Sequence, residues 1–268
     1  MRTSFLILTL IASSLATAPV SAQGAVTSSD KRARQVIDDA LVALGGERFL
    51  NMEDRVESGR AYSFYHDRLS GLSIAKIYTR YISVAPAESG KMLATRERQE
   101  FGKNADTAAV FREEGAANIN WRGTKPMPPD QFGRYRDSML RNIFYILRVR
   151  LKEPGLTFES RGTEVVDYMP VEAVEIFDSE NRSVKVYFHQ TTKLPVKQVF
   201  EWRDQSKELN EEVTRFARYR ENNGIQWPQQ ITRERNGDKI YQIFAESVQF
   251  NTDLTDDLFS LTGVTRKK

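Results

Sequence analysis

The chain has 268 residues, no cysteine and a formal net charge of +3. Without cysteine it forms no disulfide and offers neither thiolate metal ligands nor a cysteine nucleophile. A charge excess this small gives no electrostatic basis for binding nucleic acid. Hydrophobic residues make up 40% of the chain and charged residues 28%, which suits a folded core inside a charged surface.

Residues 1–22 have the features of a cleaved secretory signal peptide. Arg2 provides the positively charged N-terminal region, residues 5–12 are apolar, and residues 20–22 form a small-residue cleavage site. The apolar run is shorter than the ~20 residues that span a membrane, although an uncut N-terminal anchor is the alternative. We therefore expect a periplasmic or secreted protein.

Residues 23–30 are small and polar, and they predict a flexible linker before one domain over residues 31–268. The domain is predicted to begin with a helix over residues 31–44, which Asp30 caps and a Gly-Gly pair ends. Strands are predicted next, near residues 55–66, 72–84, 93–101, 107–113 and 116–122.

One long amphipathic helix is predicted over residues 130–152, because apolar positions recur there at steps of three and four residues. These positions are Phe132, Tyr135, Met139, Leu140, Ile143, Phe144, Leu147 and Leu151. Basic residues lie on or near the other side, namely Arg134, Arg141, Arg148 and Lys152, with Arg136 and Arg150 in the same helix. This basic face is either a surface for anionic headgroups or an acidic partner, or an ordinary solvated face.

Residues 171–250 contain five long predicted strands, separated by turn signals at nearly even spacing. The Asn-Gly pair at 236–237 is the strongest hairpin signal in the chain. Strands of roughly 8–11 residues extend about 27–36 Å, which is longer than usual and indicates a large curved sheet. The strands cover residues 184–188, 196–203, 212–220, 225–235 and 240–250.

Apolar and polar residues alternate within these strands, as is typical of an antiparallel sheet with one buried face. Four apolar rows are predicted to share the concave face: Val184, Val186 and Phe188; Leu194, Val196, Phe200 and Trp202; Ile225, Trp227 and Ile231; Ile240, Phe244, Val248 and Phe250. The predicted fold class is mainly antiparallel β with covering helices (α+β). A single curved sheet would carry the long amphipathic helix over its concave face.

Several segments resemble the LolA-like family of outer-membrane lipoprotein-sorting proteins. They are Thr-Lys-Leu-Pro-Val-Lys at 192–197, residues 216–219 before Gly-Ile-Gln-Trp-Pro at 224–228, Val-Gln-Phe-Asn at 248–251, Leu-Thr-Asp-Asp-Leu-Phe at 254–259, and Ala-Leu-Val-Ala-Leu-Gly-Gly at 40–46. The resemblance spans roughly residues 31–262. It implies a half-barrel of about eleven strands whose apolar cavity is plugged by helices. Members of that superfamily carry acyl chains of lipoproteins or lipids across the periplasm.

Catalytic and metal-binding patterns are weak. His66 and His189 are far apart in sequence, and without thiols they do not support a zinc or iron site. Asp253, Asp256 and Asp257 lack the spacing of a calcium loop, and a capped helical turn explains them better. We therefore expect neither enzyme activity nor a cofactor.

The predicted function is non-enzymatic binding or transport of a lipid or a lipid-modified protein. The predicted cavity-lining residues are Phe144, Leu147, Val186, Phe188, Val196, Phe200, Trp202, Trp227, Ile231 and Phe244. Phe144 and Leu147 are either plain core or part of a lid that leaves the concavity when an acyl chain enters. The alternative is a structural or protein-interaction module of the cell envelope with a filled core. The expected partners are a lipid or acylated lipoprotein and an envelope membrane protein, bound by a monomer.

Overall fold

The computed structural model describes residues 28–261 except residue 205. The predicted signal peptide and residues 23–27 of the predicted linker lie outside the described residues. Helix α1 (Ser28–Leu44) already includes residues 28–30, which the sequence assigned to the linker. Within the described part of the chain, no helix is both long and apolar enough to cross a membrane.

Thirteen strands form one antiparallel sheet, in the spatial order β6-β5-β4-β3-β2-β1-β13-β12-β11-β10-β9-β8-β7. Helix α2 (Glu47–Leu50) precedes the sheet in the chain. The strands are β1 (Asp54–Tyr65), β2 (Arg68–Tyr81), β3 (Thr95–Phe101), β4 (Thr107–Arg112), β5 (Gly115–Asn120), β6 (Gly123–Pro126), β7 (Thr157–Val166), β8 (Met169–Phe177), β9 (Ser183–His189), β10 (Pro195–Arg203), β11 (Leu209–Asn222), β12 (Ile225–Arg235) and β13 (Asp238–Phe250). The mainly antiparallel class is confirmed, whereas the count of about eleven strands is wrong.

The sequence did not predict strands β6, β7 and β8, and each omission has a physical reason. β6 ends in Pro126, a residue that usually indicates a break in a sheet, but β6 is an edge strand and tolerates a proline because one of its sides has no partner strand. β7 forms the opposite edge, and Phe158 is its only buried residue, so its apolar alternation is weak. β8 buries residues on both faces, so it does not alternate either.

The main core lies on one face of the sheet, which we call the inner face. Helix α1 packs there through Ala33, Ile37 and Leu44, against strands β7, β8 and β12. Gly45 ends this helix at a φ of 124°, and a Cβ added there would lie 2.3 Å from the Gly224 carbonyl oxygen. The helix end can therefore approach the β11–β12 turn this closely only with glycine.

The predicted helix over 130–152 is broken in two. α3 (Pro129–Leu140) ends before Arg141, and α4 (Ile143–Tyr145) continues into a π-helical segment (Ile146–Arg150). The Asn142 side chain accepts hydrogen bonds from the backbone N–H groups of Phe144 at 3.0 Å and Tyr145 at 3.3 Å. Asparagine is a preferred N-cap, so it starts a new helix even though the apolar period continues across the break.

A buried ion cluster stabilises the chain around this break. Arg150 is only 1% exposed, and its guanidinium donates to Glu153 at 2.6 Å and to Asp178 at 2.6 Å. It also donates to the Leu140 carbonyl at the end of α3. Arg182 Nε donates to the same Asp178 carboxylate at 2.8 Å. Arg150 therefore does not belong to a solvated basic face.

Candidate binding cavity

A cavity of about 350 Å³ lies between the inner face of the sheet and the junction of α3 and α4. Strands β1, β2, β3, β11, β12 and β13 supply most of its wall, while Tyr135, Met139, Asn142, Phe144 and Tyr145 cover it from the helices. The strands reach the cavity through five polar side chains described below and through Ile77, Tyr81, Thr95, Thr214, Phe216, Trp227, Ile231, Arg233, Ile240, Tyr241 and Ile243.

Aromatic rings form one end of the cavity. The Phe144 ring lies 4.6 Å from Trp227 and 5.0 Å from Phe216, measured between ring centroids. Trp227 in turn contacts Phe250 in an edge-to-face arrangement at 6.0 Å. All four rings are buried. Because aromatic pairs of this geometry add to the burial energy, this end of the cavity is a well-packed wall.

A band of hydrogen-bonded polar side chains crosses the inner face of β1, β2 and β3 and also lines the cavity. We call it the polar band; it consists of Arg55, Glu57, Thr79, Glu97 and Gln99. Arg55 donates to Glu57 at 2.6 Å, to Thr79 at 3.1 Å and to the Tyr81 hydroxyl at 3.2 Å. Burial lowers the pKa of Arg55, but attraction to Glu57, Tyr81 and Glu97 outweighs burial and raises it. Arg55 is therefore a cation inside the protein.

Glu97 anchors the other end of the polar band. It accepts hydrogen bonds from Gln99 at 2.5 Å and from Thr79 at 3.3 Å. Above it, the Tyr135 ring of α3 stacks on Phe111 with centroids 3.6 Å apart. Burial and the nearby Glu97 charge raise the pKa of Tyr135 well above its usual value, so this phenol stays protonated.

Two buried polar atoms of cavity-lining residues have no hydrogen-bond partner among the described residues. They are the Trp227 indole Nε1 and the Thr95 hydroxyl. Trp227 is 3% exposed and Thr95 is 2% exposed, and the Arg55 guanidinium lies 4.3 Å over the Trp227 ring. An unpaired buried polar group costs about 1–3 kcal/mol, so the cavity carries unmet hydrogen-bonding capacity.

The structure brings three of the ten predicted lining residues to the cavity: Phe144, Trp227 and Ile231. Five others belong to the inner-face core without lining the cavity, namely Leu147, Val186, Phe188, Phe200 and Trp202. Leu147 is completely buried, and Phe144 is 3% exposed. These two side chains are therefore core residues in this structure.

Val196 and Phe244 lie on the outer face of the sheet, opposite to the prediction. A register shift between Pro195 and Lys197 inserts Val196 as an extra residue, and it joins an outer cluster with Val171 and Ala173. β13 contains two such shifts, which leave Ile240 and Glu246 without partners across the ladder. Each extra residue reverses the alternation of the strand, so a regular period of two assigns the wrong face.

The charged residues of the polar band were not predicted, because apolar alternation places charged strand residues on the solvent-exposed face. β3 carries the signal that could have revealed them. Its sequence from Thr95 to Glu100 contains no apolar residue, yet one side of a strand within a sheet must face the core. Glu97 and Gln99, two residues apart, occupy that inner side.

The histidines and the aspartate group are accounted for by local structure. His189 accepts hydrogen bonds from the backbone N–H groups of Thr191 and Thr192, both at 3.2 Å, and so shapes a turn. His66 is exposed beside Asp238, and Asp256 begins a 3₁₀ turn (Asp256–Phe259). Across residues 28–261, residue 205 apart, no group of three or more His, Asp or Glu side chains is arranged to hold a metal ion.

Comparison with known proteins finds the same fold in solved structures of low sequence identity. A DUF1329 family protein from Desulfovibrio piger is 14% identical, with 85% of this chain and 97% of that chain covered and a TM-score of 0.55. An outer membrane lipoprotein-sorting protein domain from Vibrio parahaemolyticus is 12% identical, with 86% and 97% covered and a TM-score of 0.55. A LolA superfamily protein from Nitrosomonas europaea is 11% identical, with 85% and 97% covered and a TM-score of 0.50. No protein-family model and no curated protein matches the sequence.

Proposed function

From its LolA-like fold and the cavity beneath its helices, we propose that this chain is a non-enzymatic binder or carrier of a lipid or a lipid-modified protein. The observation that carries the proposal is the cavity itself, which combines an aromatic and aliphatic wall with a cover of short helices. Cavities of ~300–1,000 Å³ are the usual size for small-molecule sites, so this one suits one acyl chain better than a bulky cargo.

Helix α3 is the element that we propose to move when the ligand enters. Of its residues only Leu140 is fully buried, whereas α4 and the π-helical segment bury most of theirs. The break at Arg141 and Asn142 separates the two parts, so α3 can tilt while α4 stays in the core. Each buried CH₂ of an acyl chain contributes about 0.8 kcal/mol, and a chain of ~12–14 carbons can offset the opening of α3.

We also propose that the protein acts in the periplasm. The signal-peptide pattern of residues 1–22 supports export. The similarity in fold to an outer membrane lipoprotein-sorting protein domain is consistent with that location.

Native mass spectrometry of the protein after gentle purification tests the carrier function. We expect a bound mass in the range of a single-chain lipid, and uptake of a fluorescent fatty acid ester by the delipidated protein. A protein that repeatedly arrives empty and takes up no acyl probe would contradict the proposal.

A second candidate function, protein interaction, is favoured by an apolar surface on the outer face. We call it the outer patch; it consists of Tyr62, Phe64, Leu69, Leu72, Ile74 and Phe244, which the β1–β2 and β1–β13 registers place on the same side. Leu69, Leu72 and Ile74 are more than half exposed. Exposed apolar patches of this kind often mark protein contacts. Substituting Leu72 by Asp should abolish co-purification of an envelope protein without changing acyl binding, if interaction is the function.

A further inference from the structure

The polar band gives the cavity a chemical preference that an apolar concavity would lack. Arg55, Glu57 and Glu97 are each at most 8% exposed, yet all three line the cavity. A ligand that is only hydrocarbon would bury these side chains further without offering them hydrogen bonds, which is unfavourable. The polar band therefore selects for a ligand that places a polar group inside the cavity.

The charges of the cavity-lining side chains balance. Arg55 and Arg233 carry positive charge, and Glu57 and Glu97 carry negative charge. A bound anion would meet two carboxylates and a bound cation would meet two guanidinium groups, so neither gains a net attraction. Either ion would also lose its hydration on entry. The balance thus favours an uncharged polar group.

The unpaired polar atoms specify the hydrogen bonds that such a group should make. Trp227 Nε1 is only a donor, and the Thr95 hydroxyl can donate or accept. These two atoms lie beside the same network. Thr95 lies opposite Tyr81 on the neighbouring strand, and Tyr81 accepts a hydrogen bond from Arg55, whose guanidinium covers the Trp227 ring. An ester carbonyl accepts hydrogen bonds, and a glycerol hydroxyl both donates and accepts them.

We propose that the cavity binds an uncharged acyl ester of the acylglycerol type, with its ester and hydroxyl groups held at the polar band. The inference rests on the proposed binding of acyl chains and names the chemical class of the ligand. Tyr135 covers Glu97 from α3, so the tilt of α3 that admits the chain also uncovers the polar band.

Four ligands with the same twelve-carbon chain test the preference: 1-monolauroylglycerol, laurate, dodecyl phosphate and dodecane. We expect calorimetric titration to show the ester binding at least tenfold more tightly than each of the others. Equal or tighter binding of laurate, dodecyl phosphate or dodecane would overturn the proposal. If none of the four binds, the proposed carrier function itself fails, which is a separate result.

A charge substitution inside the cavity sharpens the test. Glu97→Gln removes one negative charge from the cavity. The affinity for laurate should rise by about 10–100-fold, as expected for unit charges several ångströms apart in a protein interior. The affinity for the ester should not rise. Glu100→Gln is the matched control, because Glu100 lies on the same strand but contacts Arg98 and Tyr78 outside the cavity lining. If Glu97→Gln left the laurate affinity unchanged, the polar group of the ligand would not lie at the polar band, and the proposal would be contradicted.

A second pair of variants keeps the proposal testable if Glu97→Gln does not fold. Trp227→Phe retains an aromatic ring under Arg55 but removes the Nε1 donor. Ester affinity should fall by about 2–12-fold, the range of one net hydrogen bond, while dodecane affinity stays the same. Trp121→Phe is the control, since Trp121 is 74% exposed. An equal loss for ester and dodecane would show that only packing was removed.

Discussion

At the scale of single residues, the unpaired Thr95 hydroxyl leads us to predict that its removal stabilises the fold. Thr95 is 2% exposed and its hydroxyl has no partner among the described residues. Replacing it by Val keeps the shape and removes the unpaired polar group. We therefore expect Thr95→Val to raise the free energy of unfolding, measured by urea titration, by about 1 kcal/mol.

Thr79 supplies the control for this experiment on the neighbouring strand. It is also 2% exposed, but its hydroxyl accepts from Arg55 at 3.1 Å and donates to Glu97 at 3.3 Å. Thr79→Val removes one hydrogen-bond partner from each of those two buried charged groups and should lower the free energy of unfolding by about 1–3 kcal/mol. If both variants destabilised the protein equally, the Thr95 hydroxyl would have a partner in solution.

Individual residues also show which side-chain orientations can be predicted from the sequence and which cannot. Trp227 and Ile231 lie on the inner face because β12 alternates regularly from Trp227 to Arg233. Val196 and Phe244 lie on the outer face because β-bulges reverse their strands, and these bulges have no clear signal in the local sequence. Bulges depend on how neighbouring strands pair, so one strand read alone cannot reveal them.

At the scale of elements, the ion cluster around Arg150 joins α3, the π-helical segment and the β8–β9 turn. Burial raises the pKa of Asp178, but hydrogen bonds from Arg150 and from the Arg182 backbone outweigh burial and hold it below its usual value. Such a carboxylate stabilises the fold above its unfolded pKa of about 3.9, and this stabilisation is lost as the pH falls through the folded pKa.

We expect Asp178→Asn to lower the free energy of unfolding at pH 7 by about 3–5 kcal/mol, because it leaves buried Arg150 with an incomplete set of partners. The difference from the unsubstituted protein should shrink as the pH is lowered below about 4, where Asp178 of the unfolded chain becomes protonated, and it should continue to shrink towards the lower pKa of the folded state. Denaturant titrations across this pH range measure both effects.

The matched control breaks an ion pair at the surface. Glu172 pairs with Arg32 of α1 at 2.9 Å, and the Arg32 side chain is 52% exposed. Glu172→Gln should therefore change the free energy of unfolding by no more than about 1 kcal/mol. A cost for Asp178→Asn as small as this would mean that the cluster does not hold α3 and α4 in place.

The broken helix shows a second limit of prediction, at the level of an element. Both the apolar stripe and the start of α3 near residue 130 were predicted from the helical period. The break was not, because the period of apolar residues continues through Asn142. Ile143 N–H donates to the Gln198 side chain of β10 at 2.9 Å, so a contact distant in sequence helps to fix the second start.

At the scale of the whole molecule, most strand pairs are hairpins between neighbours in sequence, and this is why the sheet could be predicted from turn signals. The exception is β1 beside β13, which joins the two halves of the sheet. No local pattern encodes that pairing. The cavity lies across it, with the polar band on one half and the aromatic wall on the other. Sequence patterns therefore could not predict the candidate site, even where they predicted the individual strands.

This placement makes one further prediction about β13, the strand at the junction. Ile243 lines the cavity and is 3% exposed, so Ile243→Phe should fill space that an acyl chain would use. Displacing two CH₂ groups forfeits about 1.6 kcal/mol, or roughly a 15-fold loss of acyl affinity. Ser247→Phe is the control, since Ser247 is exposed on the same strand. Calorimetric titration with 1-monolauroylglycerol measures the difference, and equal affinities in the two variants would place the ligand outside this cavity.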